Sequence, residues 1–372
     1  MTKNSKYLLF LLFLFISCEK KINNDRESLI LGDWIFEKES PKRKNYFYSD
    51  FGYSFEKNGS CETKPGYYHE KRKTEKEERK TVFLGTKTKY KIAGDSLYIF
   101  NLLSRKWDPS KIVFVDSKNL KISSDKNIIL EFKKIEDKEN EEANFDKIII
   151  SKSPCFGTCP INDIEINKNG DVYYYGEDYN LKNGYFKTKI KTSEFAKIQN
   201  DFKKTNFLEL KDAYKANWTD DQEVSITFVN DHKIIKTISD YGRQSPKLFR
   251  ITAYPITWMY QNLKLEQKET VQKFQNKYLY FSKGNRRINL TSSEIFYLSN
   301  LLSISKKTTK SFKPKYSILY SNQDTKLYEF ETDGQFFKIP AKDGKLVIID
   351  LGFNFIDKNE LEKRISTDTN VY

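Results

Sequence analysis

The sequence predicts a mainly β, α+β protein: an N-terminal antiparallel meander, then antiparallel sheet with helices packed against it. Three observations carry this. Asn-Gly or Asp-Gly pairs at 58–59, 169–170, 333–334 and 343–344, with Gly94-Asp95, separate stretches of alternating apolar and polar residues. That is the strongest short-range hairpin signal. Helical stretches are few. Aromatic residues make up 15% of the 372-residue chain, enough to fill several small β-rich cores. The length exceeds what one core supports and predicts two or three domains.

The chain opens on a short basic head carrying Lys3 and Lys6, then ten apolar residues at 7–16. A spanning helix needs roughly 20 apolar residues, so this run reads as the core of a secretory signal peptide at 1–17. It ends in "FISC", with Ser17 before Cys18. That resembles the lipobox of bacterial lipoproteins. Phe15, where Leu is more usual, suits the looser Bacteroidota type. The resemblance implies diacylglyceryl transfer to the Cys18 thiol, cleavage before Cys18 and acylation of the new terminus. Several acyl chains anchor a protein stably. Residues 18–28 are polar without an apolar period and read as a lipidated tether. Glu19 stands where Asp would hint at inner-membrane retention, so the expected location is the outer membrane, on either face.

The formal net charge is +14, and loss of Lys3 and Lys6 with the signal takes it to +12. A basic balance raises nucleic acid as a partner. Only ten of the 65 basic residues are Arg, however, the side chain that reads phosphates and bases by paired contacts. The basic run at 70–80 also alternates in sign, as a solvated loop does. The expected partners are therefore the membrane through the anchor, and an envelope protein or small apolar ligand, not nucleic acid.

Residues 29–135 form the first expected domain. Gly32 and Trp34 head its first strand, and hairpins follow about Gly59 and within "AGDSLYI" at 93–99. These features resemble the lipocalin-like domains of small bacterial lipoproteins. In that fold Trp34 plugs a small barrel and Gly32 lets the chain approach closely. A barrel of about eight strands is filled by side chains or holds one ligand, and the filled interior is the expectation.

The acidic segment 136–144 reads as a linker. The second expected domain, 146–265, starts with a strand and continues through a hairpin about Asn169-Gly170. Phe195, Ile198 and Phe202 then share one helical face, with Thr192 as the expected N-cap and Glu194 in the first turn. A second hairpin follows. Pro246 opens a last helix, which Pro255 should kink or end. Between the first strand and the hairpin lies "SPCFGTCP", with Cys155, Gly157, Cys159 and Pro160. Residues 148 to about 250 resemble an uncharacterised bacterial domain family whose signature is Cys-x-Gly-x-Cys-Pro. The match continues through Gly170, Tyr175-Gly176, Gly184, Phe195, Phe207, Tyr214, Thr219-Asp220, Asp240-Tyr241 and Pro246. Asn162 departs from it, since Tyr is more usual there. The family has no established activity, so the resemblance implies no mechanism.

The third expected domain, 277–366, echoes the second. "RRINLTSSEIFYLSNLL" parallels "FKTKIKTSEFAKIQNDF" as strand, cap and amphipathic helix, and each precedes a hairpin. This reads as a diverged repeat.

Three chemistries compete at the cysteines. Zinc needs about four ligands, and beyond Cys155 and Cys159 there are only Cys61, His69 and His232. Cu(I) suits thiolates, and the spacing resembles copper-delivery proteins of thioredoxin fold. There, as in thiol–disulfide catalysts, the second Cys opens a helix. Here Pro160 is followed by strict alternation, hence a strand. A structural disulfide in an oxidising envelope is the favoured reading. Copper binding or thiol redox work through Cys155 and Cys159 is the alternative. No Gly-x-Ser-x-Gly, His-Glu-x-x-His or P-loop occurs. Asp220, Asp221 and Asp240 are carboxylates that could serve acid–base work or cap turns. The expectation is a non-enzymatic binding or assembly protein without a cofactor, catalytic residue or metal ligand. Its marked residues are Cys18, the Cys155–Cys159 pair, and Gly32, Trp34, Gly157 and Pro160.

Overall fold

The structure, a computed structural model, describes residues 26–42, 50–71, 80–125, 128–137, 140–268, 279–321, 327–341 and 344–365. The expected signal peptide and Cys18 lie outside these residues. No helix among the described residues is long and apolar enough to cross a membrane. Strands dominate, and the described chain divides into two compact units. The first holds residues 26–137 with 246–262; the second holds 140–245 with 263–365.

In the first unit eight strands close into an antiparallel barrel. They are β1 (Gly32–Ser40), β2 (Gly52–Phe55), β3 (Ser60–Lys71), β4 (Lys80–Ala93), β5 (Ser96–Asn101), β6 (Lys106–Val115), β7 (Asn119–Asp125) and β8 (Ile128–Lys134). Each pairs with its neighbour in sequence, and β8 returns to β1 with Phe132 opposite Phe36. Closure leaves no free sheet edge. A helical turn at 26–30, α1, precedes β1. Trp34 is fully buried, and its indole N–H donates to the Ile30 carbonyl of α1 at 2.7 Å. Gly32 has φ +100°, and a Cβ there would meet the Lys134 side chain at 3.0 Å. The interior is packed with Phe36, Phe55, Leu97, Ile112, Leu120 and Phe132 around Trp34. Cys61 is buried among them with a free thiol. Burial pushes that thiol's pKa up, which leaves it unreactive.

The segment Pro246–Asn262 joins this unit, although the order of elements in the sequence placed it in the second domain, 146–265. It forms α3 (Lys247–Ala253) and a 3-10 helix, Tyr254–Asn262, so the α-helix gives way at Pro255. The reason for its placement is side-chain matching. Arg250 makes a two-pronged ion pair with Asp50, Trp258 packs edge-on to Tyr68, and Gln261 accepts from the Phe83 N–H.

The second unit is built on two antiparallel-rich sheets. The larger has the order β13-β15-β14-β9-β10-β11-β12-β16. Its strands are β9 (Lys147–Lys152), β10 (Ile161–Asn167), β11 (Asp171–Asp178), β12 (Gly184–Lys189), β13 (Ala213–Lys215), β14 (Glu223–Asn230), β15 (Lys233–Tyr241) and β16 (Glu266–Gln267). Among the described residues of this sheet, only the β13–β15 pair is parallel. The smaller sheet spans 279–350, running from β17 (Leu279–Lys283) and β18 (Arg286–Asn289) to β23 (Leu346–Asp350). Helix α2 (Thr192–Lys204) buries only Phe195 and Phe202, as an amphipathic surface helix does. Its N-cap falls at Lys191, one residue before the expected Thr192, because Lys191 is still extended. Helix α4 (Ser292–Ile304) is buried from Ser293 to Leu298 and again at Asn300 to Leu302. A helix buried nearly all round lies inside a core. The second and third expected domains therefore share one unit, with α4 in the cluster that joins Ile149 and Val229 to Phe281, Ile318 and Phe337.

Candidate functional site

Cys155 and Cys159 are bonded to each other, with their Cα atoms 5.8 Å apart. The five-residue ring leaves β9 through Ser153 and returns through Pro160 to β10, which is a strand. Gly157 takes φ +146°, a conformation that a side chain would disfavour. Gln222 ties the two ends of the loop, donating through Nε2 to the carbonyls of Ser153 and Pro160. The Phe156 N–H donates to the Asp220 carbonyl at 3.2 Å. Held this way, the Phe156 side chain is 87% exposed. Trp218, on the loop that supplies Asp220, is 51% exposed. Asn162 is buried and donates to Asn180 at 2.7 Å.

The carboxylates named from sequence shape turns. Asp221 accepts from the Trp218 indole and the Gln222 N–H, while its own N–H donates to Tyr241. Asp240 accepts the N–H groups of Gln244 and Ser245. Asp220 holds φ +74° in the loop beside Phe156. His69 lies exposed on β3, and His232 sits in the β14–β15 turn with its ring 5.0 Å from Phe353. No group of three or more His, Cys, Asp or Glu among the described residues is arranged to hold a metal ion.

A second site was not named by sequence reasoning. A cleft of about 320 Å³ in the second unit is lined by Lys147, Glu165, Asn167, Tyr173, His232 and Asn300, among others. Residues two apart on a strand share a face. Lys147 is directly opposite Asn167 across β9–β10, and Glu165 is two residues before Asn167. The Lys147 ammonium is 2.8 Å from Asn167 Oδ1 and 3.5 Å from Glu165 Oε1. Glu165 is 2% exposed, and its other oxygen accepts from Asn300 of α4 at 2.8 Å. Tyr185 donates to Asn300 at 3.0 Å. Desolvation, aided by the Glu165 charge, pushes the Tyr185 hydroxyl pKa up. Higher on the same face, desolvation raises the Asp163 carboxyl to about 7. On the opposite face burial lowers the Lys152 ammonium to about 7. The sequence signal for this site is the Glu-x-Asn pair at 165–167, which points nowhere until the strand pairing is known.

Residues 146–260 match a family model described as a domain of unknown function (DUF6438). The matched segment is less than a third of the chain and contains the disulfide loop. Within it, a Cβ on Gly170 would lie 2.2 Å from the Ile190 carbonyl oxygen, and Phe195 and Phe207 are buried core rings. No curated protein and no solved structure matches the chain.

Proposed function

We propose that the protein is a lipid-anchored outer-membrane protein that acts by binding another envelope protein, with the Cys155–Cys159 loop as its contact point. The observation that carries this is Phe156, almost fully exposed on a loop fixed by a disulfide, by Gln222 and by the Asp220 carbonyl. An exposed ring is unfavourable in water unless a partner covers it. A pre-ordered ring loses little entropy on binding, and such residues dominate interface energetics. The barrel's interior, occupied by its own side chains, favours a protein partner over a small apolar ligand. Cys18 supplies the anchor. The strand after Pro160 supports a staple over a copper or redox site, because no helix N-terminus lowers the thiol pKa.

The test places a photo-crosslinking residue at position 156 in cells, with exposed Lys191 as the control site. A discrete adduct from 156 alone is expected; equal patterns at both sites would remove the loop as a contact. Cys18→Ser should stop fatty-acid incorporation and release the protein from the outer-membrane fraction, and a variant that still labels overturns the anchor. Replacing Cys155 and Cys159 by Ser should lower stability by roughly 2 kcal/mol or less in denaturant titration, leaving the fold intact.

A further inference from the structure

We propose that Lys147 and Asn167 become joined by an intramolecular amide bond, with Glu165 carrying the protons. The three groups needed for that reaction converge on one face of β9–β10. Lys147 Nζ is 2.8 Å from the side-chain carbonyl oxygen of Asn167, the atom next to the carbon it would attack. Glu165 Oε1 lies 3.5 Å from the same nitrogen. Asn167 and Glu165 are 9% and 2% exposed, so the carbonyl and the carboxylate are shielded from competing water. Asn300 holds the second oxygen of Glu165, and Tyr185 holds Asn300, which fixes the carboxylate in place. Asn300 is thus a positioning residue. Reactants held at such distances behave as if present at effective molarities of about 10⁵–10⁸ M, which is what an otherwise inert carboxamide requires.

The steps balance without an oxidant or cofactor. Glu165 takes a proton from the Lys147 ammonium and frees its lone pair. Nζ attacks Cγ of Asn167, and the carbonyl electrons move to oxygen. The protonated Glu165 gives its proton to Nδ2 as the Cγ–Nδ2 bond breaks. The new Nζ–Cγ amide forms, Glu165 takes up the surplus proton of Nζ and passes it on, and ammonium leaves. The protein loses one ammonia in mass and one positive charge. The cleft at Lys147 gives the leaving group a way to solvent. The product ties the first two strands of the second unit across the loop that contains the disulfide, a bond suited to an exported protein because it survives reduction.

The experiment is peptide mapping of the purified full chain after denaturation and reduction. The expected result is a single peptide pair joined through Lys147 and Asn167, resistant to trypsin after Lys147 and lighter by one ammonia than the two free peptides. Separate peptides of unmodified mass in the wild type would overturn the proposal, and this measurement decides without any variant. Glu165→Gln and Lys147→Arg, checked for a folded state by circular dichroism and gel filtration, should both give unlinked peptides. A folded Glu165→Gln protein that links as completely as the wild type would remove Glu165 from the chemistry.

Discussion

The two faces of the larger sheet in the second unit are packed by opposite means. On the face that carries Ile148, Ile150 and Phe228, the packing is rings. Phe228 lies 4.0 Å from Phe207 and 5.1 Å from both Phe145 and Phe202, centroid to centroid. On the face that carries Glu165, Ser225 and Thr227, Ile149 and Val229 join the apolar cluster around α4, and a line of hydrogen bonds runs beside them. The Ser293 N–H donates to Ser225, Thr227 meets the Ser293 hydroxyl, Thr237 donates to Glu294, and Asn300 donates to Glu165. Arg364 completes the set with an ion pair to fully buried Glu294. Ring packing is non-directional and roughly proportional to area removed from water. Hydrogen-bonded packing adds little net stability but penalises any arrangement that leaves a group unmatched. The contrast teaches that apolar burial stabilises both faces, while only the hydrogen-bonded one fixes the orientation of α4, and with it Asn300 beside the cleft.

The largest test of this contrast is Phe228→Ala. It removes the ring that the other three share and should lower the stability of the second unit by about 3–5 kcal/mol in a denaturant titration. A loss under 1 kcal/mol would mean that the ring face is not the main source of stability. Glu294→Ala is the corresponding test of the polar face. It removes one partner of the Thr237 hydroxyl, which keeps Thr227, and frees Arg364, which is partly exposed, so a smaller loss of about 2 kcal/mol is expected. It should also loosen α4, seen as faster hydrogen exchange at Asn300 than in Phe228→Ala.

The smallest expected effect is one of pH. Asp163 on the polar face has its carboxyl raised to about 7 by desolvation, against about 3.9 in an unfolded chain. Between those values the folded state holds a proton that the unfolded state has lost. Its contribution to stability is therefore fully present below about pH 4 and is lost as pH rises through about 7. Asp163 keeps part of its surface in water, which discounts that shift, so the change in stability across this range stays below the loss expected from Glu294→Ala. Asp163→Asn should flatten the stability profile between pH 4 and 7. An unchanged slope would place the titrating group elsewhere.

Much of the fold was legible in the sequence. The hairpin pairs at Gly59, Gly170 and Gly334 fall in turns, the meander of the first domain closes as an eight-stranded barrel, and Trp34 is buried at its start. These features are local: turn conformation and side-chain alternation depend on a few neighbouring residues. The cysteine loop was legible for the same reason, since four residues of separation leave little freedom. The repeat expected between α2 and α4 shows the limit. Both helices begin with a Glu at the third position, Glu194 and Glu294, whose side chain accepts from the cap backbone. Yet α2 lies on a surface and α4 inside a core.

The sequence by itself determined the strand content, the turn positions and the amphipathic character of α2, and favoured the closed loop at Cys155–Cys159, because each follows from residues close together in the chain. Only the tertiary structure decided that Pro246–Asn262 joins the barrel unit, that α4 is shared by two sheets, and that Lys147, Glu165, Asn167 and Asn300 meet. Those outcomes rest on pairings between distant residues, 135 positions apart for Glu165 and Asn300 and 200 for Asp50 and Arg250. Such pairings have no periodicity to read. They are selected by which buried polar groups find partners once the sheets have formed, and that competition takes place in three dimensions.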